Sequence, residues 1–211
     1  MASPIVHVVL TNKIFNTFFQ HHNKKDFFIG TCLPDIRYLK VTERDKTHFQ
    51  NVNLDKLNKE NSFLAGLKFH SILDKVREDY IVLNDTYNLC PESKYSTLAL
   101  KLLEDRILYN NITNWNECIN YLDDILDDEV NLGIKNEDIK KWHSLLQQLF
   151  SHQPNKNSIQ DFASELFFSN EDINELDKIA TELNKNNKVI KIIKNLYINF
   201  DSLLIEYKNK N

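Results

Sequence analysis

The chain is poor in the residues that build turns: only three glycines and four prolines occur among its 211 residues. Sheet-rich folds need many tight turns, and those turns draw on glycine and proline. The apolar residues recur at helical spacing, as at Val6, Leu10 and Ile14, and no stretch of convincing length alternates. A chain of this length can bury one substantial core. We therefore predict a single all-α domain of several helices over residues 1–211.

Cysteine and long apolar runs are also scarce. Cys32, Cys90 and Cys118 are widely spaced and form no CxxC motif, which fits neither a disulfide framework nor a zinc ribbon and favours a reducing compartment. No apolar run approaches the roughly 20 residues that a membrane-spanning helix requires. The N-terminal segment has no basic region of the kind that precedes a signal peptide. We expect a cytoplasmic protein without a membrane span.

A large excess of charge is absent as well, because 26 lysines and arginines stand against 30 aspartates and glutamates, for a net charge of −4. Proteins that bind nucleic acid in general usually carry a basic excess. The composition therefore disfavours nucleic acid as a bulk partner. The oligomeric state stays open, since no feature of the sequence indicates one.

Helical periodicity predicts a series of helices separated by polar, turn-like breaks. The clearest covers Ser62–Leu83, and its first residue is a suitable N-cap. Gly30 and Pro34 are expected to break any helix in the segment before it, which would place Asp35 in a turn or at a helix start. The remaining predicted helices cover residues 4–22, 93–110, 114–128, 137–150 and 159–168, and two more begin near residues 169 and 187.

Three histidines and two aspartates in the first part of the chain are the inventory of a divalent-metal site. His70 and Asp74 lie four residues apart, so on a helix they share one face, and that face also carries apolar residues and should pack inward. An unpaired charge on a buried face is costly, so the pair needs a partner. Imidazole and carboxylate ligands suit Zn²⁺, and also Mn²⁺ and Fe²⁺. The other candidate ligands are His7, Asp35 and His48.

Four stretches resemble, in order, the motifs of the zinc-dependent phospholipase C family, whose structural relatives include the S1/P1-type nucleases. They are "MASPIVH", "GTCLPDI", "TH" and "AGLKFHSILD", and they cover roughly the first 80 residues. The resemblance implies an all-α domain of the phospholipase C / P1 nuclease type with a zinc cluster that cleaves phosphoester bonds. By the same resemblance, one metal would be held by Asp35, His48, His70 and Asp74. Asp74 would bridge to a second metal that His7 binds, and Asp35 would also act as general base.

Two departures from the family pattern limit the expected cluster to one or two metals. The third metal of the family needs a histidine where this chain has Tyr80, and a carboxylate where Gln147 follows His143. The secreted relatives also use an N-terminal tryptophan as a ligand, which this chain lacks. Removal of Met1 would instead expose an amine close to His7.

The expected function is therefore that of a metal-dependent hydrolase of a small phosphoester, phospholipase C-like or acting as a phosphodiesterase or phosphomonoesterase. Lipid headgroups, nucleotides and sugar phosphates all remain possible substrates. Arg37 and Arg77 are candidates for binding the phosphate bidentately, although salt bridges to carboxylates are an equally good interpretation. The alternative function is a non-catalytic helical domain that keeps a structural His/Asp cluster. An HD-type phosphohydrolase is disfavoured because no histidine is followed by aspartate.

Overall fold

The computed structural model describes residues 2–165 and 168–210. Within these residues it contains eleven α-helices, several 3₁₀ helices and no β-strand, so the all-α prediction is confirmed. The α-helices are α1 (Pro4–Phe18), α2 (Lys24–Cys32), α3 (Leu54–Leu57), α4 (Ser62–Leu83), α5 (Ser96–Leu108), α6 (Trp115–Tyr121), α7 (Asp127–Val130), α8 (Asn136–Ser151), α9 (Lys156–Glu165), α10 (Asn170–Leu183) and α11 (Asn187–Lys210). The longer 3₁₀ helices are Leu33–Leu39, which follows α2, and Thr86–Leu89, which follows α4.

Helix α1 lies in the interior of the molecule and brings the first histidine into the core. Ser3 caps its start, where the side-chain oxygen accepts a hydrogen bond from the backbone N–H of Val6, and Pro4 takes a favoured first-turn position. The helix packs against α2, α4, α5, α8 and α11. Because neighbours surround it, nearly all of its first two turns are buried, including His7.

Helices α2 and α4 pack with their backbones in close approach, and two glycines make this possible. A Cβ atom at Gly30 would collide with the carbonyl oxygen of Phe63, and one at Gly66 would collide with the carbonyl oxygen of Phe27. Gly30 therefore lies inside a helix, where it was expected to break one. The expectation for this segment was wrong because glycine costs a helix only about 1 kcal/mol, which tertiary packing readily exceeds.

The single helix predicted over residues 114–128 is two short helices, α6 and α7. Side chains of α8 take up carbonyl groups at the end of α6: His143 Nδ1 lies 3.1 Å from the Leu122 oxygen, and Gln147 donates to Ile119. These bonds satisfy backbone groups that would otherwise require the helix to continue. The predicted helix over 159–168 is observed as α9, which ends at Glu165; residues 166 and 167 lie outside the described part.

One connected cluster of buried apolar side chains runs from Ala2 at the start of the chain to Leu204 in α11. Helices from every part of the chain contribute to it, which is what a single domain requires, although the domain boundaries stay a prediction. Among the residues that the structure describes, no helix combines the length and apolar character needed to cross a membrane.

Candidate metal centre

Five side chains from four separate segments meet at one point in the core. Helix α1 carries His7, the 3₁₀ helix after α2 carries Asp35, the loop that follows carries His48, and α4 carries His70 and Asp74. These are the five residues that the sequence predicted as metal ligands. They form two overlapping sets of potential ligand atoms, one of His7, His70 and Asp74 and the other of Asp35, His48 and His70, with all atoms of each set within 4.8 Å of one another.

All five side chains are almost completely withdrawn from solvent. The least buried is the Asp74 side chain, which exposes 9% of its surface, while the side chain of His48 exposes 5%. Polar groups in such an environment normally have hydrogen-bond partners, because leaving them without one costs about 1–3 kcal/mol each. The partners of each ring nitrogen and each carboxylate oxygen therefore indicate what the cluster is built to bind.

The Nδ1 atom of each of the three histidines has a partner in the protein. His7 Nδ1 lies 2.8 Å from the Ser3 carbonyl oxygen, and His70 Nδ1 lies 2.9 Å from the Thr31 carbonyl oxygen. A carbonyl oxygen can only accept, so these two nitrogens carry the hydrogen and donate it. His48 Nδ1 lies 3.1 Å from the hydroxyl oxygen of Thr47. This is the arrangement that fixes ring orientation and tautomer in metal-binding histidines.

The opposite ring nitrogens, and one oxygen of each carboxylate, have no hydrogen-bond partner among the described residues. These atoms are His7 Nε2, His48 Nε2, His70 Nε2, Asp35 Oδ1 and Asp74 Oδ2. All five face the same small volume, since each belongs to a residue of the two ligand sets. Neutral imidazole nitrogens and carboxylate oxygens are the ligands that zinc takes in proteins. Their convergence without partners fits a divalent metal ion.

The distances within the cluster also fit. Ligand atoms of a tetrahedral zinc site, with bonds of about 2.0–2.1 Å, lie about 3.4 Å apart. His7 Nε2 lies 3.3 Å from Asp74 Oδ1, and His70 Nε2 lies 3.6 Å from Asp74 Oδ2. His48 Nε2 lies 3.9 Å from Asp74 Oδ2 and 4.0 Å from Asp35 Oδ1. The pairs are therefore spaced as ligands around an ion, at or beyond the limit of a direct hydrogen bond.

The two carboxylates have opposite electrostatic environments. Burial raises the pKa of Asp35 to about 6; His7 opposes this rise, and the carboxylate of Asp74 supports it. Burial would also raise the pKa of Asp74, but the neighbouring rings of His7 and His70 hold that pKa well below its usual range. Asp74 Oδ1 accepts a further hydrogen bond of 2.6 Å from the backbone N–H of Ala2. Asp74 is thus an ionised carboxylate throughout the physiological pH range, whereas Asp35 titrates near the lower end of that range.

Burial keeps two of the histidines neutral. It lowers the pKa of His48 to about 4, with the charge of Arg44 as the next cause, and it lowers the pKa of His70 well below the ordinary value. Only a neutral imidazole has a lone pair to give to a metal. At neutral pH both rings are therefore in the state that binds metal.

The two arginines predicted as phosphate contacts lie in different surroundings. The Arg77 guanidinium is fully buried and binds Glu104 in a two-point ion pair, with Glu78 on its other side at 2.9 Å. This is the salt-bridge alternative rather than a position from which to reach a substrate. The Arg37 guanidinium lies over the ring of Tyr38 and donates to its hydroxyl at 3.1 Å. Arg37 is near enough to Asp35 to oppose the rise in its pKa.

Sequence reasoning did not identify the groups that orient the histidines. Two of them, at Ser3 and Thr31, act through backbone carbonyl oxygens, and no side-chain pattern reveals a carbonyl that faces a ring. Thr47 acts through its hydroxyl oxygen, which lies beside His48 Nδ1, while the hydroxyl hydrogen is donated to the Pro34 carbonyl oxygen at 3.3 Å. The "TH" dipeptide that drew attention to His48 was the one available signal for it.

A comparison of the chain with protein-family models, with curated protein sequences and with solved structures found no match. The resemblance to the zinc-dependent phospholipase C family therefore rests on the four quoted motifs. The geometry of the five clustered side chains is therefore the main indication of function.

Proposed function

We propose that the chain is a metal-dependent phosphoester hydrolase, related to the zinc-dependent phospholipase C family, with one or two divalent ions in the His/Asp cluster. Zinc is the first candidate, and Mn²⁺ and Fe²⁺ suit the same ligands. The observation that carries the proposal is the position of Asp74. Its Oδ1 faces His7, and its Oδ2 faces His48 and His70. A carboxylate whose two oxygens face different histidines is suited to bridging two ions.

The orientation of the rings supports two ions over one. The rings of His7 and His70 are stacked, with centroids 3.9 Å apart and planes 11° from parallel. Their Nε2 atoms both lie close to Asp74, that of His7 beside Oδ1 and that of His70 beside Oδ2, which suits two neighbouring ions that share this carboxylate. The ring of His48 stands at 85° to that of His70, which suits convergence on one ion. The proposed ligands are Asp35, His48 and His70 for one ion and His7 for the other, with Asp74 shared.

A pair of divalent ions supplies charge neutralisation for a phosphoryl group and lowers the pKa of bound water toward about 7. The side chains of the protein would hold the ions in place and accept the proton. The three rings are held in place, because their Nδ1 atoms contact Ser3, Thr31 and Thr47. Asp35 would accept the proton of the attacking water.

A cavity beside the cluster favours a catalytic function over a purely structural one. It has a volume of about 600 Å³ and is lined by both His48 and Asp74. Its volume is within the range of cavities that bind small ligands. A structural His/Asp cluster would instead be closed off by its own hydrogen bonds, whereas five ligand atoms here have no such bond among the described residues.

The test is hydrolysis of p-nitrophenyl phosphate and bis(p-nitrophenyl) phosphate by the zinc-loaded protein, compared with Asp35→Asn. Glu129→Gln is the matched control, because it also neutralises a buried carboxylate that contacts a histidine. We expect turnover in the wild type and the control, and at least ~100-fold less in Asp35→Asn, which loses a general base and a ligand. Full zinc occupancy without turnover of either ester would contradict the hydrolase and favour the non-catalytic alternative.

A further inference from the structure

The cavity beside the metal centre has a wall from each of three parts of the chain. The loop after the 3₁₀ helix Leu33–Leu39 forms one wall, α4 forms the second, and Tyr207 of α11 forms the third. The hydroxyl of Tyr207 donates to the Val52 carbonyl oxygen at 2.6 Å, and the backbone N–H of Phe49 donates to the Ser71 hydroxyl at 2.9 Å. These bonds tie the walls to one another, so the cavity has a defined shape.

Two basic side chains line this cavity, Lys75 of α4 and Arg44, which lies at the start of the 3₁₀ turn Arg44–Lys46. Lys75 is paired with Asp79 one turn along α4, at 2.5 and 2.7 Å, and both side chains are well exposed. Arg44 also interacts within the chain; of the two, its guanidinium is the group that offers two parallel donors to one phosphate.

The backbone fixes Arg44 close to the cluster. Its carbonyl oxygen accepts hydrogen bonds from the N–H groups of Thr47 at 3.1 Å and His48 at 2.8 Å. This turn holds Arg44 and a metal-ligand histidine on the same wall of the cavity. The Arg44 side chain is exposed and starts from this turn, so it can extend to a substrate group bound over the cluster.

We infer that Arg44 binds the phosphoryl oxygens of the substrate at the mouth of this cavity, and so selects phosphoesters over uncharged esters. The inference rests on the proposed hydrolase function. A guanidinium matches two phosphate oxygens with parallel hydrogen bonds, which an ammonium cannot do. Arg44 thereby takes the role that the sequence suggested for Arg37 and Arg77. A phosphoryl group held by Arg44 would lie next to His48 and Asp74, where the proposed ions bind.

The test is calorimetric titration of inorganic phosphate into the zinc-loaded protein, for the wild type, Arg44→Ala, Arg44→Lys and Lys46→Ala. Lys46 is the matched control, because it is an exposed cation of the same 3₁₀ turn and does not line the cavity. We expect Arg44→Ala to weaken phosphate binding by about 10- to 100-fold, as the loss of a charge-assisted bond implies. Arg44→Lys should fall between, and Lys46→Ala should bind like the wild type. Zinc content and melting temperature should be equal in all four proteins.

The outcomes separate this inference from the proposed function. If the wild type binds zinc, and Arg44→Ala binds phosphate as tightly as the wild type, the inference is overturned while the metal centre stands. The same holds if Lys46→Ala is weakened as much as Arg44→Ala, since the effect would then be one of net charge. Zinc-loaded wild type that binds no phosphate also overturns the inference. A wild type that binds no metal removes the proposed function itself.

Discussion

Two buried clusters in this molecule pair histidine with carboxylate, and they differ in whether the protein satisfies the ring nitrogens. The first is the five-residue cluster for which we propose a metal ion, here called the metal cluster; the second joins α8 to α7. In the second, His143 Nδ1 lies 3.1 Å from the Leu122 carbonyl oxygen, and Nε2 lies 2.8 Å from Glu129 Oε1. The other Glu129 oxygen accepts the backbone N–H of Leu126 at 2.9 Å. Each polar atom of this pair has a partner.

In the metal cluster the Nδ1 atoms are equally well held, yet the Nε2 atoms of His7, His48 and His70 have no hydrogen bond within the described residues. Both clusters are buried, and both contain a carboxylate within 4 Å of a ring nitrogen. Burial and composition therefore do not distinguish them. What distinguishes them is a set of converging ligand atoms that the protein leaves without partners, which is a cost unless something binds there.

The largest expected difference between the clusters is in metal affinity. Asp74→Asn removes the proposed bridging ligand, so the affinity for Zn²⁺ should fall by at least ~100-fold, beyond the loss seen on removing outer-shell partners. Glu129→Gln makes the same chemical change in the second cluster and should leave the affinity unchanged. Competition titration with a chromogenic chelator measures both. Equal affinities for the two variants would contradict the assignment of the metal to the first cluster.

Metal-free stability should show the opposite order. His143→Gln breaks a fully satisfied pair and leaves Glu129 with a poorly matched partner, so it should cost about 2–3 kcal/mol of unfolding free energy. His70→Gln removes one hydrogen bond and a nitrogen that had no partner, so about 1 kcal/mol is expected. Urea unfolding in the presence of EDTA gives both values. A larger loss in His70→Gln would indicate that the first cluster is the structural one.

Asp35 should give the metal-free protein a distinctive pH dependence. Its folded-state pKa is raised from 3.8 to about 6, so its contribution to stability is fully present below pH 3.8 and is lost as pH rises through about 6. Within that window the slope is about 1.4 kcal/mol per pH unit. Asp35→Asn should remove this component, which the difference between the two unfolding curves isolates. Parallel curves for the two proteins would contradict the placement of Asp35 as a buried carboxyl.

The smallest expected effect concerns a residue that orients a ligand. Thr47→Val keeps the side-chain shape but removes the hydroxyl beside His48 Nδ1, and the loss of such an outer-shell partner costs about 10-fold in metal affinity. Thr42→Val, in the same loop, is the control and should bind zinc like the wild type. The chelator titration used above measures both variants. Unchanged affinity in Thr47→Val would show that His48 does not depend on this bond.

The sequence predicted best what depends on local periodicity or on a motif. Helix α4 has the predicted bounds, Ser62–Leu83, but its N-cap is Asn61, whose side chain accepts a hydrogen bond from the Leu64 N–H, and not the predicted Ser62. The five candidate ligands converge as their motifs implied. Helix α2 was missed because its stability comes from backbone contact with α4 through Gly30 and Gly66. That contact joins distant parts of the chain, so local spacing carries no trace of it.

Two features of the site depend on contacts between distant parts of the chain. A salt bridge of Arg77 to a carboxylate was one of the interpretations that the sequence allowed, and the structure shows it with Glu104 of α5. The cavity beside the cluster is lined by Tyr207, near the opposite end of the chain from the five candidate ligands. Side chains that meet only through folding leave no spacing pattern in the sequence.

The most direct test of the central claim is the metal content of protein purified without an affinity tag, for wild type, His70→Ala and His143→Gln, by mass spectrometry. We predict about one to two equivalents of transition metal per chain in the wild type and in His143→Gln, as a mono- or dinuclear centre requires. His70→Ala should retain less than about a tenth of an equivalent of metal, because the folded protein then lacks one of the ligands that hold the ion. Wild type that stays below that level after addition of Zn²⁺, Mn²⁺ or Fe²⁺ would contradict the metal centre.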